Sequence, residues 1–329
     1  MKKVLNKVEQ AVDEMCLGIV AANPKLALDQ RYRVVMRKDI DKDKVALISG
    51  GGSGHEPSHA GFVGEGMLTA AVCGDVFASP STMQIYNAIL QTRTDKGTLL
   101  IIKNYSGDCM NFDSAAEMAE DDEILVDRVY VNDDVAVEDS LYTVGRRGVA
   151  GTVLVHKIAG AAAASGKDLA EVKRIALKTI AAVKSIGAAL TSCTVPAKGS
   201  PTFTLAEDEM EFGVGIHGEP GIQRQKLRTS ADLAADMVGR LLPEAAINPG
   251  DTCAVMVNGL GATPLLELYI QYNDVVKILG EKGIKIHRAF VGNYMTSLDM
   301  NGFSLTLLRL DDELKDLLDA PADTAGMKV

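Results

Sequence analysis

The chain has 329 residues, 47% hydrophobic and 24% charged, enough apolar material for two cores of ordinary domain size. Its 34 Lys and Arg stand against 44 Asp and Glu, and a net charge of −10 disfavours a nucleic-acid role, which requires a basic face. No stretch is apolar and charge-free for long enough to span a bilayer. The charged opening MKKVLNKVEQAVDEM holds no secretory apolar core, so the expected location is the cytoplasm.

In chain order, Val8, Ala11, Val12, Met15 and Ile19 recur at helical spacing and predict a helix over residues 6–21. Residues 45–48 form a short apolar strand. It enters Gly50-Gly51-Gly52-Ser53-Gly54-His55-Glu56-Pro57-Ser58-His59, which the glycines predict to be a bent loop. His55 and His59 have the spelling of an HExxH zinc site. Pro57 spoils it, because the residue before a proline is pushed out of the α region and both histidines would have to share one helix. Pro57 instead suits the first turn of a new helix. The loop therefore reads as a cradle for a small polar ligand, with a purely structural glycine turn as the alternative.

A helix is expected after Pro80-Ser81, a strand over 98–102, a helix over 111–120 and a strand over 128–131. An alanine-rich helical region follows over 152–187, interrupted near Gly166. The second half alternates again, with an extended run at 211–216, a helix near 229–241 and a strand at 252–257. A helix near 264–280 and extended runs at 284–287 and 304–308 complete it. The fold class is α/β: two α/β domains, 1–185 and 186–329, with mainly parallel sheets covered by helices. Ligands of such sheets bind beyond the carboxyl ends of the strands, where the His55 and Asp108 loops both fall.

Asp108 follows a strand through Gly107 and is placed to take a proton from an alcohol. Lys103, at the strand end, either pairs with it or holds a substrate oxygen. His217 stands between glycines in Phe212-Gly213-Val214-Gly215-Ile216-His217-Gly218-Glu219, where an imidazole can serve as nucleophile, base or donor. Glu219 either orients that ring or caps a turn. His156, in an apolar run, and His287, beside Arg288, read as packed or hydrogen-bonded residues. The five cysteines are widely separated, without disulfide-framework or zinc-ribbon spacing, and Cys109 beside Asp108 is either a reactive thiol or, the favoured reading, a packing thiol. The chain carries no GxxxxGK[ST] loop, no dinucleotide GxGxxG in strand–helix context and no protein-kinase signature, so no ATP site is expected on it.

LISGGGSGHEPSHAGFVGEGML (47–68), LLIIKNYSGDCMNF (99–112), GRRGVAGTVLVHKIAGAAA (145–163), FGVGIHGEPGI (212–222), VNGLGATPLLELY (257–269) and VGNYMTSLDMNGFSLTLL (291–308) give the chain a resemblance that spans nearly its whole length. It resembles the K subunit of bacterial dihydroxyacetone kinases, the substrate-binding part of a split kinase dependent on the phosphoenolpyruvate phosphotransferase system. The resemblance implies the dihydroxyacetone kinase K-domain fold, in a homodimer. It implies that His217 holds dihydroxyacetone as a hemiaminal, that Asp108 acts on the hydroxyl receiving phosphate, and that His55 contacts the substrate and assists transfer. Gly52 and Lys103 would add substrate contacts. No cofactor or metal is expected on this chain. ADP/ATP and Mg2+ would belong to a separate helical L subunit, recharged by an M phosphocarrier subunit that draws on HPr and enzyme I.

Cys109, Asp113 and Ala262 depart from the commonest family spelling. They leave an alternative, a catalytically silent dihydroxyacetone-sensing paralog acting as co-activator of a transcription regulator. His55, Asp108 and His217 are all retained, which favours the kinase subunit.

Overall fold

In the computed structural model, which describes residues 2–138, 144–219 and 221–329, the first half runs α1 (Ala11–Ala22), β1 (Leu26–Asp29), β2 (Val34–Arg37), β3 (Ala46–Ser53), β4 (Ala70–Val76), α2 (Thr82–Thr92), β5 (Thr98–Lys103), α3 (Ser106–Asp121) and β6 (Val126–Val131). Its strands form one six-stranded sheet in the order β1-β2-β4-β3-β5-β6. The pairs β4/β3, β3/β5 and β5/β6 are parallel, and β1/β2 and β2/β4 antiparallel.

Alternation along the apolar runs decides which helices cover which face. Ile48, Leu100 and Ile102 pack with Ile85 and Ile89 of α2 and Phe112 and Ala115 of α3. Leu47, Leu99 and Ile101 point the other way, into a core built with α4 (Thr152–Ala164) and α5 (Leu169–Ala182). Both faces are covered, which is why these strands read as unbroken hydrophobic runs. Local signals set the helix starts: Ser81 and Gln84 form a reciprocal capping box on α2, and the Asp168 carboxylate accepts from the Glu171 N–H on α5. Small residues on α4 allow close backbone approach; a Cβ at Gly160 would stand 2.3 Å from the Gly66 carbonyl oxygen.

The second half runs β7 (Val183–Ala189), β8 (Glu209–Phe212), β9 (Gln223–Lys226), α6 (Ser230–Glu244), β10 (Thr252–Gly259), α7 (Leu265–Glu281), β11 (Lys285–Gly292), β12 (Gly302–Leu310) and α8 (Asp312–Asp319). The sheet order is β11-β10-β12-β7-β8-β9, and among the described residues β10/β11 is its one parallel pair. The α/β architecture with helix-covered sheets is as expected, but the sheets are mixed. Parallel pairing predominates in the first and antiparallel pairing in the second.

Three local expectations differ from the structure. The glycines at 50–52 do not form a loop; they extend β3 to Ser53, because Gly50 runs against β4, where a Cβ would lie 2.5 Å from the Val72 carbonyl oxygen. No α-helix starts at Pro57. The segment is instead held by the second half, with the Ser58 hydroxyl donating to the Tyr294 carbonyl and the Thr296 hydroxyl to the Glu56 carbonyl, and only a 3-10 turn (Ala60–Phe62) follows. The alanine-rich helical region stops at Ala182, and the chain passes directly into β7, whose pairing with β12 overrides helical propensity.

The expected division between residues 185 and 186 falls inside β7. The halves share one core: Ala254, Met256, Leu308 and Leu310 of the second sheet pack in the same cluster as α4, α5 and α8. The C-terminal segment also returns to the first half, where the Asp323 N–H donates to the Glu65 carbonyl at 3.0 Å and the Gly326 N–H to the Gly61 carbonyl at 2.7 Å.

Candidate active site

β3 and β5 are adjacent and parallel, so their carboxyl ends bring the glycine segment and Lys103 together. Gly51, at φ +151, leaves room that a Cβ would occupy 2.2 Å from the Lys103 ammonium nitrogen. The fully buried Lys103 donates to the Gly50 carbonyl at 3.1 Å and pairs with the Asp108 carboxylate at 3.2 Å. Asp108 belongs to the first turn of α3 rather than to a loop before it.

His217 comes from the second half, on the turn after β8, and crosses to the first. Its ring stands edge-on to His55 at 4.7 Å, Tyr105 at 4.4 Å and Phe77 at 5.5 Å between centroids. His55 stacks on Phe77 at 5.1 Å, and its Nδ1 lies 2.8 Å from the Thr296 carbonyl oxygen. That contact makes Nδ1 the donor and leaves Nε2, which has no hydrogen-bond partner among the described residues, as the free lone pair.

A cleft of about 470 Å³ opens here, lined by Gly52, Phe77, Tyr105, Asp108, Val195 and His217 among others. Three of the five residues singled out in the sequence thus line the cleft. Lys103 and His55 are buried behind it. Gly52 contributes by closeness, since a Cβ there would lie 2.6 Å from the Ala78 nitrogen. Glu219 does not reach the imidazole: its carboxylate accepts from the His217 backbone N–H at 2.8 Å and pairs with Arg147 at 3.3 Å. The turn-capping alternative holds. Phe77, Tyr105 and Arg147 received no role in the sequence reading, although Tyr105 sits within the same short segment as Lys103 and Asp108.

The remaining candidates lie outside the cleft. His156 is buried and its Nε2 lies 2.9 Å from His59 Nδ1, while His287 binds Asp319. Burial raises the Cys109 thiol to about 11, the state of an unreactive packing thiol. Among the described residues, no three or more His, Cys, Asp or Glu side chains are gathered to hold a metal ion, and no helix is long and apolar enough to cross a membrane.

Burial, reinforced by the positive charges of Lys103 and Arg147, lowers His217 to about 3, so its imidazole is neutral at physiological pH with a lone pair to offer. Burial also places His156 at about 3 and moves His55 and His59 well below 6.5. Unfolded histidines take up protons near pH 6.5 while these folded ones do not, so stability is complete above that pH and falls as the pH drops below 6.5, down to about 3 for His156 and His217. Each unit inside that window is expected to cost up to about 1.4 kcal/mol per fully buried histidine. Denaturation midpoints measured from pH 8 to pH 4 check this: a midpoint flat or rising on acidification would contradict it.

A family model described as the Dak1 domain matches residues 17–326. The chain is 52% identical over 326 residues to the dihydroxyacetone-binding subunit DhaK of PTS-dependent dihydroxyacetone kinase 1 from Listeria innocua, covering 98% of this chain and 99% of that protein. It is 53% identical over 319 residues to the corresponding subunit from Lactococcus lactis, covering 96% of each. Among solved structures, it is similar to the dihydroxyacetone kinase operon co-activator Dha-DhaQ, at TM-score 0.90 and 38% identity over 95% of this chain and 97% of that one. It is also similar to the dihydroxyacetone kinase from C. freundii in complex with AMP-PNP and Mg2+, at TM-score 0.92 and 39% identity over 99% of this chain and 61% of that one.

Proposed function

We propose a mechanism from the premise that this chain belongs to the Dak1 family, as a dihydroxyacetone-binding subunit of a phosphotransferase-system-dependent dihydroxyacetone kinase: His217 tethers the ketone covalently and Asp108 activates the hydroxyl that is phosphorylated. A neutral ring nitrogen of His217 forms a bond to the carbonyl carbon. The carbonyl π bond breaks, its oxygen takes a proton, and the imidazole gives up its N–H proton. The product is a hemiaminal. A triose is too small to be oriented by apolar burial, and the tether fixes it instead. Glycerol, which lacks an electrophilic carbon, is rejected by the same step.

Asp108 then accepts the hydroxyl proton as that oxygen attacks phosphorus and the donor's terminal P–O bond breaks. Lys103 holds the carboxylate from behind, and His55, whose ring meets that of His217, assists the transfer. The donor nucleotide and Mg2+ are assigned to a separate L subunit, recharged through the M subunit, HPr and enzyme I; the chain itself is taken to act as a homodimer. The observation that carries this reading is a histidine lowered to about 3, bordering one cleft with a carboxylate delivered from the other half of the molecule.

The purified chain alone should bind dihydroxyacetone yet show no turnover with ATP, and adding the charged L subunit should yield dihydroxyacetone phosphate. Robust turnover by this chain with ATP alone would overturn the split-kinase assignment. The sensing alternative is favoured by the likeness to the co-activator at 38% identity and disfavoured by the higher identity to kinase subunits. It would prevail if the L-subunit complex formed without phosphate transfer.

A further inference from the structure

Arg147 is the largest fully buried side chain among the described residues, 1% exposed, and it joins the two halves next to the tether. Its Nε donates to the Asp134 carboxylate at 2.7 Å, and Nη2 approaches the same oxygen at 2.6 Å. Asp134 is itself held in place, its backbone N–H donating to the Arg147 carbonyl and its other carboxylate oxygen accepting from the Ala136 N–H. The two terminal nitrogens of the guanidinium also reach the segment bearing His217. Nη2 donates to the Gly213 carbonyl at 2.9 Å, and Nη1 meets the Glu219 carboxylate at 3.3 Å. Glu219 in turn accepts from the His217 backbone N–H through its second oxygen at 2.8 Å.

Both ends of the 213–219 segment are therefore fastened to one planar group, with His217 between them. The fit is close: a Cβ at Gly215 would lie 1.8 Å from the Glu219 Oε1 and 2.9 Å from the Arg147 Nη1, so the backbone passes directly over the ion pair. Gly213 adopts φ +76, which sets the bend where the clamp begins. Only a planar fork spans Asp134, Gly213 and Glu219 at once; a lysine ammonium is a compact point charge at the end of a flexible stem.

We propose that Arg147, anchored on Asp134, is a positioning residue for the covalent tether: it holds the 213–219 turn so that the His217 ring faces the substrate carbonyl. This rests on the tether reading above. The guanidinium contacts Asp134, Gly213 and Glu219 and acts on the imidazole through the backbone, so its removal should harm capture of the ketone and spare the later transfer. Arg147→Lys and Glu219→Gln should each raise the KM for dihydroxyacetone about tenfold or more through misplacement of the nucleophile, while kcat at saturating ketone stays within about twofold. Adduct occupancy at subsaturating dihydroxyacetone should fall in parallel. The double variant should be no worse than Arg147→Lys alone, because both changes break the same link.

Hydrogen–deuterium exchange on the unliganded variants supplies a readout independent of the adduct: peptides covering 212–219 should exchange faster while those of the first sheet do not. If wild-type protein carries no adduct on His217, the tether reading falls, and the exchange comparison still decides whether Arg147 orders this segment. Folded variants with unchanged KM, occupancy and 212–219 exchange would overturn the proposal. So would a fall in kcat with KM unmoved, or exchange accelerated equally throughout the chain. Should Arg147→Lys fail to fold, Glu219→Gln, which alters only the half-buried end of the clamp, carries the same test.

Discussion

Replacing His217 with Ala is expected to abolish the covalent adduct and to lower kcat/KM in the reconstituted kinase by roughly 10²–10³-fold, the loss that follows when a small substrate is no longer oriented. The chain should remain folded. His217 is half-buried at the cleft mouth, and its ring meets His55, Phe77 and Tyr105 only edge-on. Intact-protein mass spectrometry after mild reduction of the dihydroxyacetone complex reads the adduct directly. An adduct of unchanged mass and occupancy in H217A would place the tether elsewhere. The neutral state of this imidazole also predicts that adduct formation is nearly independent of pH between about 5 and 8, since no titration of His217 falls in that range.

The Asp108→Asn variant separates capture from transfer. It should keep the adduct and slow phosphorylation by about 10²–10⁴-fold, the usual contribution of a positioned general base. The substitution preserves shape but removes the charge facing Lys103, which is wholly buried and otherwise donates to the Gly50 carbonyl. Breaking a buried pair costs roughly 3–5 kcal/mol, so the melting temperature is expected to fall as well, and rates belong at a temperature where the variant is fully folded. Equal reconstituted rates for wild type and D108N would remove Asp108 from the chemistry. Loss of the adduct in D108N would instead make the carboxylate part of substrate capture.

The local motifs were legible in the chain because each is a short stretch with special backbone or side-chain chemistry. Gly52, His55, Lys103, Asp108 and His217 all lie in segments where glycines, a proline or a buried charge interrupt an apolar pattern. Two strands of the first sheet, β3 and β5, were legible for the same reason: covered on both faces, they read as continuous apolar runs at 45–48 and 98–102, whereas β1, β2 and β4 were not read from the sequence. The alternation that assigns Leu47 and Ile48 to opposite faces is likewise local.

What the tertiary structure decided is everything that depends on pairing between distant residues. The mixed second sheet arises because β7 and β12 meet across more than a hundred residues, and no period in either strand records its neighbour's direction. The turn after Pro57 replaces a helix because residues 294–296 supply its hydrogen bonds. Arg147 appears in the sequence as one of two adjacent arginines between glycines, and only folding delivers Asp134, Gly213 and Glu219 to its guanidinium. The sequence by itself determined the α/β class, the family and the side chains able to do chemistry, since these follow from local composition and motif. The tertiary structure decided which of those side chains line the cleft and which stand behind it, because burial and the lowered basicity of His217 are collective properties of the packed halves.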